Sequence, residues 1–379
     1  MIKETKKKSL VALILIWFLA GTAAGSECPY DLLGDFNHDC RVDFLDIALF
    51  AQNWLVDCMK MPQHTACIPR VEWQLQSPMS TSRYSFTGGV IDGKIYVFGG
   101  KSSDGENLKS TEMFDFRKDE WVMRADNNHN AGYGVEELTS AVVDGKLYVF
   151  GAYGWTGSNR ISGTINFVEE YNPVADTWRS RAPKPTMVSL APSTIYDSEI
   201  YIFGGNYYTE AGDQDVYYRS VEAFKPSTNT WRSVTSIPKN VQLFALATVG
   251  DKAYLMGGYL PDEDRMTGDV MTFDFVTGGW DVDSCRPMTD ERRRAFSYSA
   301  AAPVIDGKIF LIGGMEGSFD MGVWASNKVD VYDPISNTWS VEQSLKFSVH
   351  SHLSLVMDGR IYVIGGTMRG LKTCFSAQY

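Results

Sequence analysis

The stretch VIDGKIYVFGG, residues 90–100, decides the fold, because related stretches return five more times along the chain. These are VVDGKLYVFGA, IYDSEIYIFGG, TVGDKAYLMGG, VIDGKIFLIGG and VMDGRIYVIGG. Their small-residue pairs begin at Gly99, Gly151, Gly204, Gly257, Gly313 and Gly365, at intervals of 52 to 56 residues. Self-similarity with a period near 50 residues predicts an architecture of repeated units.

Each repeat unit predicts β-strands rather than helices. KIYVF, residues 94–98, and its relatives are rich in β-branched and aromatic residues and lie between a turn and the small-residue pair. Most of these turns are Asp-Gly, which suits a two-residue hairpin because both residues tolerate a positive φ. A variable loop, a third strand and a fourth strand follow, and the fourth strands carry Trp121, Trp178, Trp231, Trp280 and Trp339. We therefore predict four antiparallel strands per unit.

The motifs after the glycines resemble those of a known repeat. In VYDPISNTW, residues 331–339, and in EYNPVADTW and FKPSTNTW, a turn leads into a Thr-Trp pair preceded by Asn or Asp. This order resembles the kelch repeat, and the resemblance covers all six units over residues 70–379. It implies an all-β fold, a six-bladed kelch-type β-propeller with one four-stranded sheet per blade. Kelch propellers include both partner-binding modules and enzymes, so fold alone does not assign a function.

The sixth unit lacks its tryptophan strand. After Gly366 the chain continues only with TMRGLKTCFSAQY. Trp73, in RVEWQLQ, lies 26 residues before Gly99, just as Trp178 lies 26 residues before Gly204. We therefore expect an N-terminal strand around Trp73 to complete the last blade and close the ring, which would remove exposed sheet edges.

Residues 1–25 have the features of a secretory signal peptide. Four lysines precede an apolar run over residues 10–20, and the small residues GTAAGS follow. The run is too short for a permanent transmembrane helix, so we expect a chain without a transmembrane span, secreted to the medium, the periplasm or the cell surface. The formal net charge of −11 argues against a nucleic-acid partner.

A second motif lies between the signal peptide and the propeller, in DFNHDCRVDFLD, residues 35–46. Ca²⁺ loops place oxygen ligands at positions 1, 3, 5, 9 and 12 and a backbone carbonyl at position 7. Those positions hold Asp35, Asn37, Asp39, Asp43 and Asp46, with Arg41 supplying the carbonyl. The spacing resembles one half of a dockerin, which implies a bound Ca²⁺, a small helical segment over residues 26–69 and a cohesin-like or cell-surface partner.

Two departures from the dockerin pattern leave an alternative open. Position 6 of the loop, normally glycine, is Cys40, and only one loop is present. The alternative is a cap stapled by cystines, with merely solvated carboxylates. Six cysteines in an exported chain favour disulfides, and we predict a bridge between Cys67 and Cys374; the other pairings stay open.

The loops after the small-residue pairs are expected on the face opposite the Asp-Gly hairpins. They differ in length and chemistry, and variable loops on a rigid scaffold commonly carry binding residues. The predicted ligand-binding residues are Tyr153, Trp155, Arg160, Asn206, Tyr207, Tyr208, Arg219, Tyr259, Glu316 and Trp324. Aromatic rings among polar side chains favour non-enzymatic recognition of a glycan or a protein. For any single ring the alternative is packing of a loop onto a blade edge.

Catalytic patterns are sparse. His350 and His352 could share one face of a strand and bind a metal, but no third ligand is identifiable nearby and a core or rim pair is favoured. Galactose oxidase, a kelch-like propeller, needs a cysteine–tyrosine cross-link for its copper chemistry, and no cysteine here lies in a matching context.

A closer enzymatic analogy is the exported six-bladed kelch propeller that acts as an N-acetylneuraminate (sialic acid) epimerase or mutarotase. The resemblance implies an acid–base group, with arginines for the sugar carboxylate. The candidates are Arg83, Glu136, Glu137, Arg292, Arg293, Arg294 and Glu316. The stretch ERRR is also typical of a solvated turn.

Overall fold

The computed structural model describes residues 73–129, 133–156, 161–208, 215–296, 302–318, 322–366 and 372–379. The chain divides between residues 69 and 70 into two units, and all described residues belong to the second. The predicted signal peptide, the calcium loop and its six ligand positions lie outside the described residues. Within the described part of the chain, no helix is long and apolar enough to span a membrane.

The described chain consists of strands, apart from one short 3₁₀-helix. The first strand is β1 (Gln74–Gln76). Blade 1 contains β2 (Thr87–Ile91), β3 (Lys94–Phe98), β4 (Thr111–Asp115) and β5 (Glu120–Arg124). The second repeat contains β6 (Val135–Glu136), β7 (Thr139–Val143), β8 (Lys146–Phe150), β9 (Tyr153–Thr156), β10 (Ile161–Thr164), β11 (Val168–Asn172) and β12 (Thr177–Ser180).

The remaining repeats follow the same order. The third contains β13 (Ser193–Tyr196), β14 (Glu199–Phe203), β15 (Asn206–Tyr208), β16 (Asp215–Tyr217), β17 (Ser220–Lys225) and β18 (Thr230–Ser236). The fourth contains β19 (Ala245–Val249), β20 (Lys252–Met256), β21 (Tyr259–Leu260), β22 (Arg265–Met266), β23 (Val270–Asp274) and β24 (Trp280–Asp281). The fifth contains the 3₁₀-helix (Asp290–Arg292), β25 (Val304–Ile305), β26 (Lys308–Ile312), β27 (Met315–Ser318), β28 (Gly322–Ala325), β29 (Val329–Asp333) and β30 (Thr338–Val341). The last contains β31 (Leu353–Met357), β32 (Arg360–Ile364) and β33 (Cys374–Gln378).

Six four-stranded antiparallel sheets form the blades, as predicted. Their strand orders are β2-β3-β4-β5, β7-β8-β11-β12, β13-β14-β17-β18, β19-β20-β23-β24, β25-β26-β29-β30 and β31-β32-β33-β1. Neighbouring first strands, such as β2 and β7 or β13 and β19, contact each other. The first strands therefore surround the propeller axis, and the tryptophan strands lie at the outer edges.

The N-terminal strand completes the sixth blade, which confirms the closure predicted from Trp73. Strand β1 pairs antiparallel with β33, with Gln74 opposite Ser376 and Gln76 opposite Cys374. The Trp73 side chain is buried between blades 5 and 6 and its indole N–H donates to the Gln343 carbonyl at 3.2 Å. The first and last described segments of the propeller are thus joined in one sheet.

The hydrophobic core consists of clusters between adjacent blades, which explains the continuous apolar second strands. In β3, Ile95 and Val97 pack towards blade 6, whereas Tyr96 and Phe98 pack towards blade 2. Successive side chains of a strand point to opposite faces of a sheet, and both faces of each blade here meet another blade. In a strand that is buried on both faces, apolar residues need not alternate with polar ones.

The Asn/Asp-x-Trp motif joins each blade to its neighbour. In blade 2, a carboxylate oxygen of Asp176 accepts from the Ala125 backbone N–H at 2.9 Å, and the Trp178 indole donates to the Ala125 carbonyl at 3.0 Å. The same double contact joins Asp119 and Trp121 to Ser77, Asn229 and Trp231 to Ala182, and Asn337 and Trp339 to Arg286. In blade 4, Gly278 replaces the amide or carboxylate, and Trp280 bonds the Thr235 hydroxyl instead.

The state of Cys374 differs from the predicted disulfide. Its thiol is free and fully buried between blades 6 and 1, beside Met79, Phe86 and Ile95. Burial raises the pKa of the Cys374 thiol above its usual range. The free thiol does not support the predicted bridge to Cys67, a residue that lies outside the described part of the chain.

Candidate functional site

In the described part of the chain, four small hairpins lie on one face of the propeller, each directly after a small-residue pair. They are β9–β10, β15–β16, β21–β22 and β27–β28. The residue after each pair bridges the segment that enters the blade, as Tyr259 does with Gln242 through hydrogen bonds of 2.7 and 2.8 Å. Gly258 permits this close approach, because a Cβ there would lie 2.5 Å from the Gln242 carbonyl oxygen.

The short segment that precedes the first strand of each blade is called here its entering segment. The entering segments form a ring around the propeller axis. Ser85, Glu137, Leu190, Leu243 and Ser351 occupy matched positions in blades 1, 2, 3, 4 and 6, and all have a φ between 54° and 62°. Backbone N–H groups link neighbouring members: Ser85 donates to Ser351 at 3.0 Å, Glu137 to Ser85 at 2.9 Å, and Leu190 to Glu137 at 3.3 Å. This conformation is uncommon for residues other than glycine, and here the blade-to-blade hydrogen bonds stabilise it.

A cavity of about 420 Å³ opens between the hairpins and this ring. We call it the axial cavity, and it is lined by Tyr84, Leu190, Asn206, Tyr208, Tyr217, Gln242, Leu243, Tyr259, Met315, Val323, Trp324, His350 and Ser351. Five of the six blades contribute at least one of these residues. Its volume falls in the range of small-molecule sites, about 300–1,000 Å³.

The cavity wall is largely aromatic. Tyr153, behind the wall, packs edge-to-face against Tyr208 with a centroid distance of 5.2 Å. The Tyr259 hydroxyl donates to Asp264 at 2.5 Å, which fixes that ring. Trp324 is 58% exposed. Such rings offer flat apolar surface with fixed orientation.

Two side-chain amides belong to the polar part of the lining. Asn206 and Gln242 are each only 4% exposed. The Ser189 hydroxyl lies 3.4 Å from Oδ1 of Asn206 and donates to Glu137 at 3.0 Å. Gln242 lies on the next blade, and its Nε2 is 3.5 Å from the Tyr218 carbonyl oxygen. An amide both donates and accepts hydrogen bonds, so the two can hold polar groups of a ligand in a defined orientation.

The two histidines do not form the metal pair considered from the sequence. They precede β31 rather than lying on a strand; His350 lines the cavity, and its Nδ1 is 2.7 Å from the Ser351 hydroxyl. Burial lowers the pKa of His350, and burial together with His350 lowers the pKa of His352 to about 3. No cluster of three or more His, Cys, Asp or Glu suited to a metal occurs among the described residues.

The structure brings four of the ten predicted binding residues to the cavity, namely Asn206, Tyr208, Tyr259 and Trp324. Tyr207 lies within its hairpin opposite Val216. Arg219 donates to the Pro238 carbonyl at 3.1 Å, and Glu316 accepts from Lys328 at 2.8 Å. Trp155 belongs to β9, but its side chain and all of Arg160 lie outside what the structure describes.

The cavity residues of the entering segments were not predicted as ligand-binding residues, although His350 was considered as a metal ligand. These are Tyr84, Leu190, Gln242, Leu243, His350 and Ser351. Their positions in the repeat could have identified them. Each of these residues lies a few residues before the first strand of a blade, and most of the positions recur at the repeat spacing.

The arginines considered for an acidic sugar do not converge on the cavity. Arg83 and Arg294 are fully buried within their blades. Arg83 bonds Glu112 at 2.6 Å and Arg294 bonds Asp330 at 2.5 Å. The stretch ERRR, residues 291–294, is therefore only partly a solvated turn, because the ion pair with Asp330 holds Arg294 inside the blade.

The remaining acid–base candidates also have partners. Glu136 accepts from Lys101 at 3.0 Å, and burial raises its pKa although Lys101 opposes the shift. Arg292 also pairs with Asp330, and Arg293 pairs with Asp290 at the surface. Arg292 and Arg294 thus share Asp330, whereas Glu136 and Arg293 have partners of their own, and these contacts do not gather the candidates into one catalytic group.

Comparison with known proteins supports a kelch-type propeller. The family model described as "Attractin/LZTR1 beta-propeller" matches residues 65–324 and 192–378. Kelch-like protein 25 of Xenopus tropicalis is 26% identical over 308 residues, covering 80% of this chain and 47% of that protein. Kelch-like protein 38 of Rattus norvegicus is 24% identical over 293 residues, covering 76% and 45%.

A solved structure, titled "Structure of YjhT", is similar with a TM-score of 0.64 and 20% identity, covering 80% of this chain and 96% of that one. At this identity the likeness shows the fold alone. The chain spans about half the length of the two kelch-like relatives described above.

Proposed function

The chain belongs to the Attractin/LZTR1 β-propeller family, and we propose that it is an exported, non-enzymatic recognition protein whose axial cavity binds a glycan. The observation that carries the proposal is the lining, in which four tyrosines, one tryptophan and two amides surround about 420 Å³. Sugars present apolar ring faces and hydroxyl groups, which aromatic rings and amides can contact together.

The lining also favours binding over catalysis. General acid–base catalysis needs a titratable group within hydrogen-bond reach of the substrate. Among the described lining residues only His350 and the tyrosines titrate, and burial lowers the pKa of His350. A mutarotase-like isomerase is the alternative outcome, and NMR measurement of sialic acid anomer exchange would detect it.

The binding test is a glycan array probed with residues 26–379 and with two variants. Trp324→Ala removes an exposed ring from the cavity rim, and we expect at least about tenfold weaker binding, equivalent to about 1.4 kcal/mol. Ile335→Ala is the matched control, because Ile335 is 93% exposed on a turn between the third and fourth strands of blade 5, on the opposite face. An empty array, or equal loss in both variants, would contradict the proposed site.

We also propose that residues 26–69 bind Ca²⁺ through the predicted loop and dock the propeller to a partner. Calorimetric titration of residues 26–379 with Ca²⁺ is expected to show one binding event, which Asp35→Ala combined with Asp39→Ala abolishes. Asp104→Ala, at an exposed carboxylate of blade 1, is the control and should leave the heat unchanged. The absence of heat with the unaltered chain would favour the cystine-stapled cap.

A further inference from the structure

The described lining of the axial cavity is uncharged. The residues that line it include no lysine, arginine, aspartate or glutamate among those the structure describes. Burial raises the pKa of Tyr84, so its phenol stays neutral, and burial lowers the pKa of His350. A ligand in this cavity therefore meets rings, amides and hydroxyls at neutral pH.

Charges behind the wall already have partners. Glu136 pairs with Lys101, Glu316 pairs with Lys328, and the Asp264 carboxylate accepts from Tyr259. Recruiting one of them to a ligand would break an existing contact, which costs free energy because the partner loses its hydrogen bond.

The buried arginines cannot serve an acidic ligand either. Carboxylates are commonly recognised by the two-pronged guanidinium of arginine. Arg83 and Arg294 have no exposed surface and hold Glu112 and Asp330 inside their blades. An anionic ligand would also approach a chain of net charge −11. The described lining thus offers an anion neutral hydrogen-bond donors but no cation to offset the loss of its hydration.

The two amides are placed for hydroxyl recognition on adjoining blades. Asn206 lies directly after the glycine pair of blade 3, where it bridges Ser189, and Gln242 lies on the segment entering blade 4, where it bridges Tyr259. The Ser189 hydroxyl is close to Oδ1 of Asn206, so the NH₂ group of that amide is directed away from Ser189. A hydroxyl group of a ligand can both accept and donate, as an amide can.

We propose that the axial cavity binds an uncharged sugar unit and discriminates against acidic sugars, sialic acid included. This inference rests on the proposed function and narrows it to one ligand class. A site built from neutral hydrogen-bonding groups rejects a ligand that brings an unpaired charge, because desolvation of that charge is not repaid. A cationic sugar is disfavoured for the same reason.

The test uses closely related sugars in which one neutral group is replaced by a charged one. Isothermal titration of residues 26–379 compares glucose with glucuronate and glucosamine, and galactose with galacturonate and galactosamine, alongside the array's neutral glycans and their sialylated forms. In each set of three sugars, we expect the neutral sugar to bind at least about tenfold more tightly than the acidic and the cationic sugar. The preference should persist at high salt, because it comes from desolvation rather than from long-range repulsion.

Two variants place the discrimination in the cavity. Asn206→Asp keeps the side-chain shape but replaces the amide by a carboxylate, and we expect at least a tenfold loss for the neutral sugar. Trp324→Ala acts at an exposed residue and so reports binding even if Asn206→Asp alters stability. Tighter binding of an acidic sugar, lost in Trp324→Ala, would overturn the inference while leaving the proposed function intact. Binding of no glycan, or binding that neither variant weakens, would overturn both.

Discussion

Replacing Glu112 by Gln should lower the free energy of unfolding by about 3–5 kcal/mol, the usual loss when one partner of a buried ion pair is removed. Glu112 and Arg83 are both fully buried, and their contact distance is 2.6 Å. Burial lowers the pKa of Arg83 while Glu112 opposes the shift, so the guanidinium depends on that carboxylate. Glu112 also accepts from the backbone of Ser80 and Thr81, so the substitution loosens the chain entering blade 1.

The measurement is urea unfolding at neutral pH, with Lys118→Gln as the matched control. Lys118 and Glu120 form an ion pair of 3.3 Å on the same blade, but their side chains are 66% and 48% exposed. Breaking an exposed pair typically changes stability by less than about 1 kcal/mol. If both variants lowered the free energy of unfolding by similar amounts, the buried Arg83–Glu112 pair would contribute no more to stability than the exposed pair.

Such pairs illustrate what the sequence does not reveal about this propeller. Glu112, Glu222 and Asp330 lie on the third strands of blades 1, 3 and 5, and each holds a cation from the segment entering its own blade. In the sequence they look like the polar positions of half-exposed strands. Their burial follows from tertiary packing, because a blade has neighbours on both faces, and no local pattern carries that information.

Strand number and ring closure were predictable because they rest on repeated side chains. The Trp strands and the Asp-Gly turns have chemistry that local geometry demands, and the position of Trp73 followed from their spacing. The ring of entering segments beside the cavity differs in this respect. Ser85, Glu137, Leu190, Leu243 and Ser351 share a backbone conformation rather than a side-chain type, since blade-to-blade hydrogen bonds impose the positive φ. Their lack of chemical similarity concealed the ring in the sequence.

The second large effect is expected at the closing strand, where Trp73→Ala should cost about 3–5 kcal/mol, as is usual for loss of a buried tryptophan. Trp73 is 4% exposed, packs with Phe310 and Leu345, and donates to the Gln343 carbonyl. Strand β1 is only three residues long, so this side chain contributes much of what holds it to β33. Thermal and urea unfolding both measure the loss.

Trp324→Ala is the control, because it makes the same chemical change at a residue that is 58% exposed, where substitutions usually shift stability by less than about 0.5 kcal/mol. Trp73→Phe separates packing from hydrogen bonding and should cost less than Trp73→Ala, since the ring still fills the cluster between blades 5 and 6. If β1 does close the propeller, Trp73→Ala also frees the edge of β33, and an unpaired edge invites pairing with another chain. Light scattering should then rise with protein concentration for Trp73→Ala but not for Trp324→Ala. Equal stability and equal scattering of the two variants would mean that the ring is held closed by contacts other than this strand.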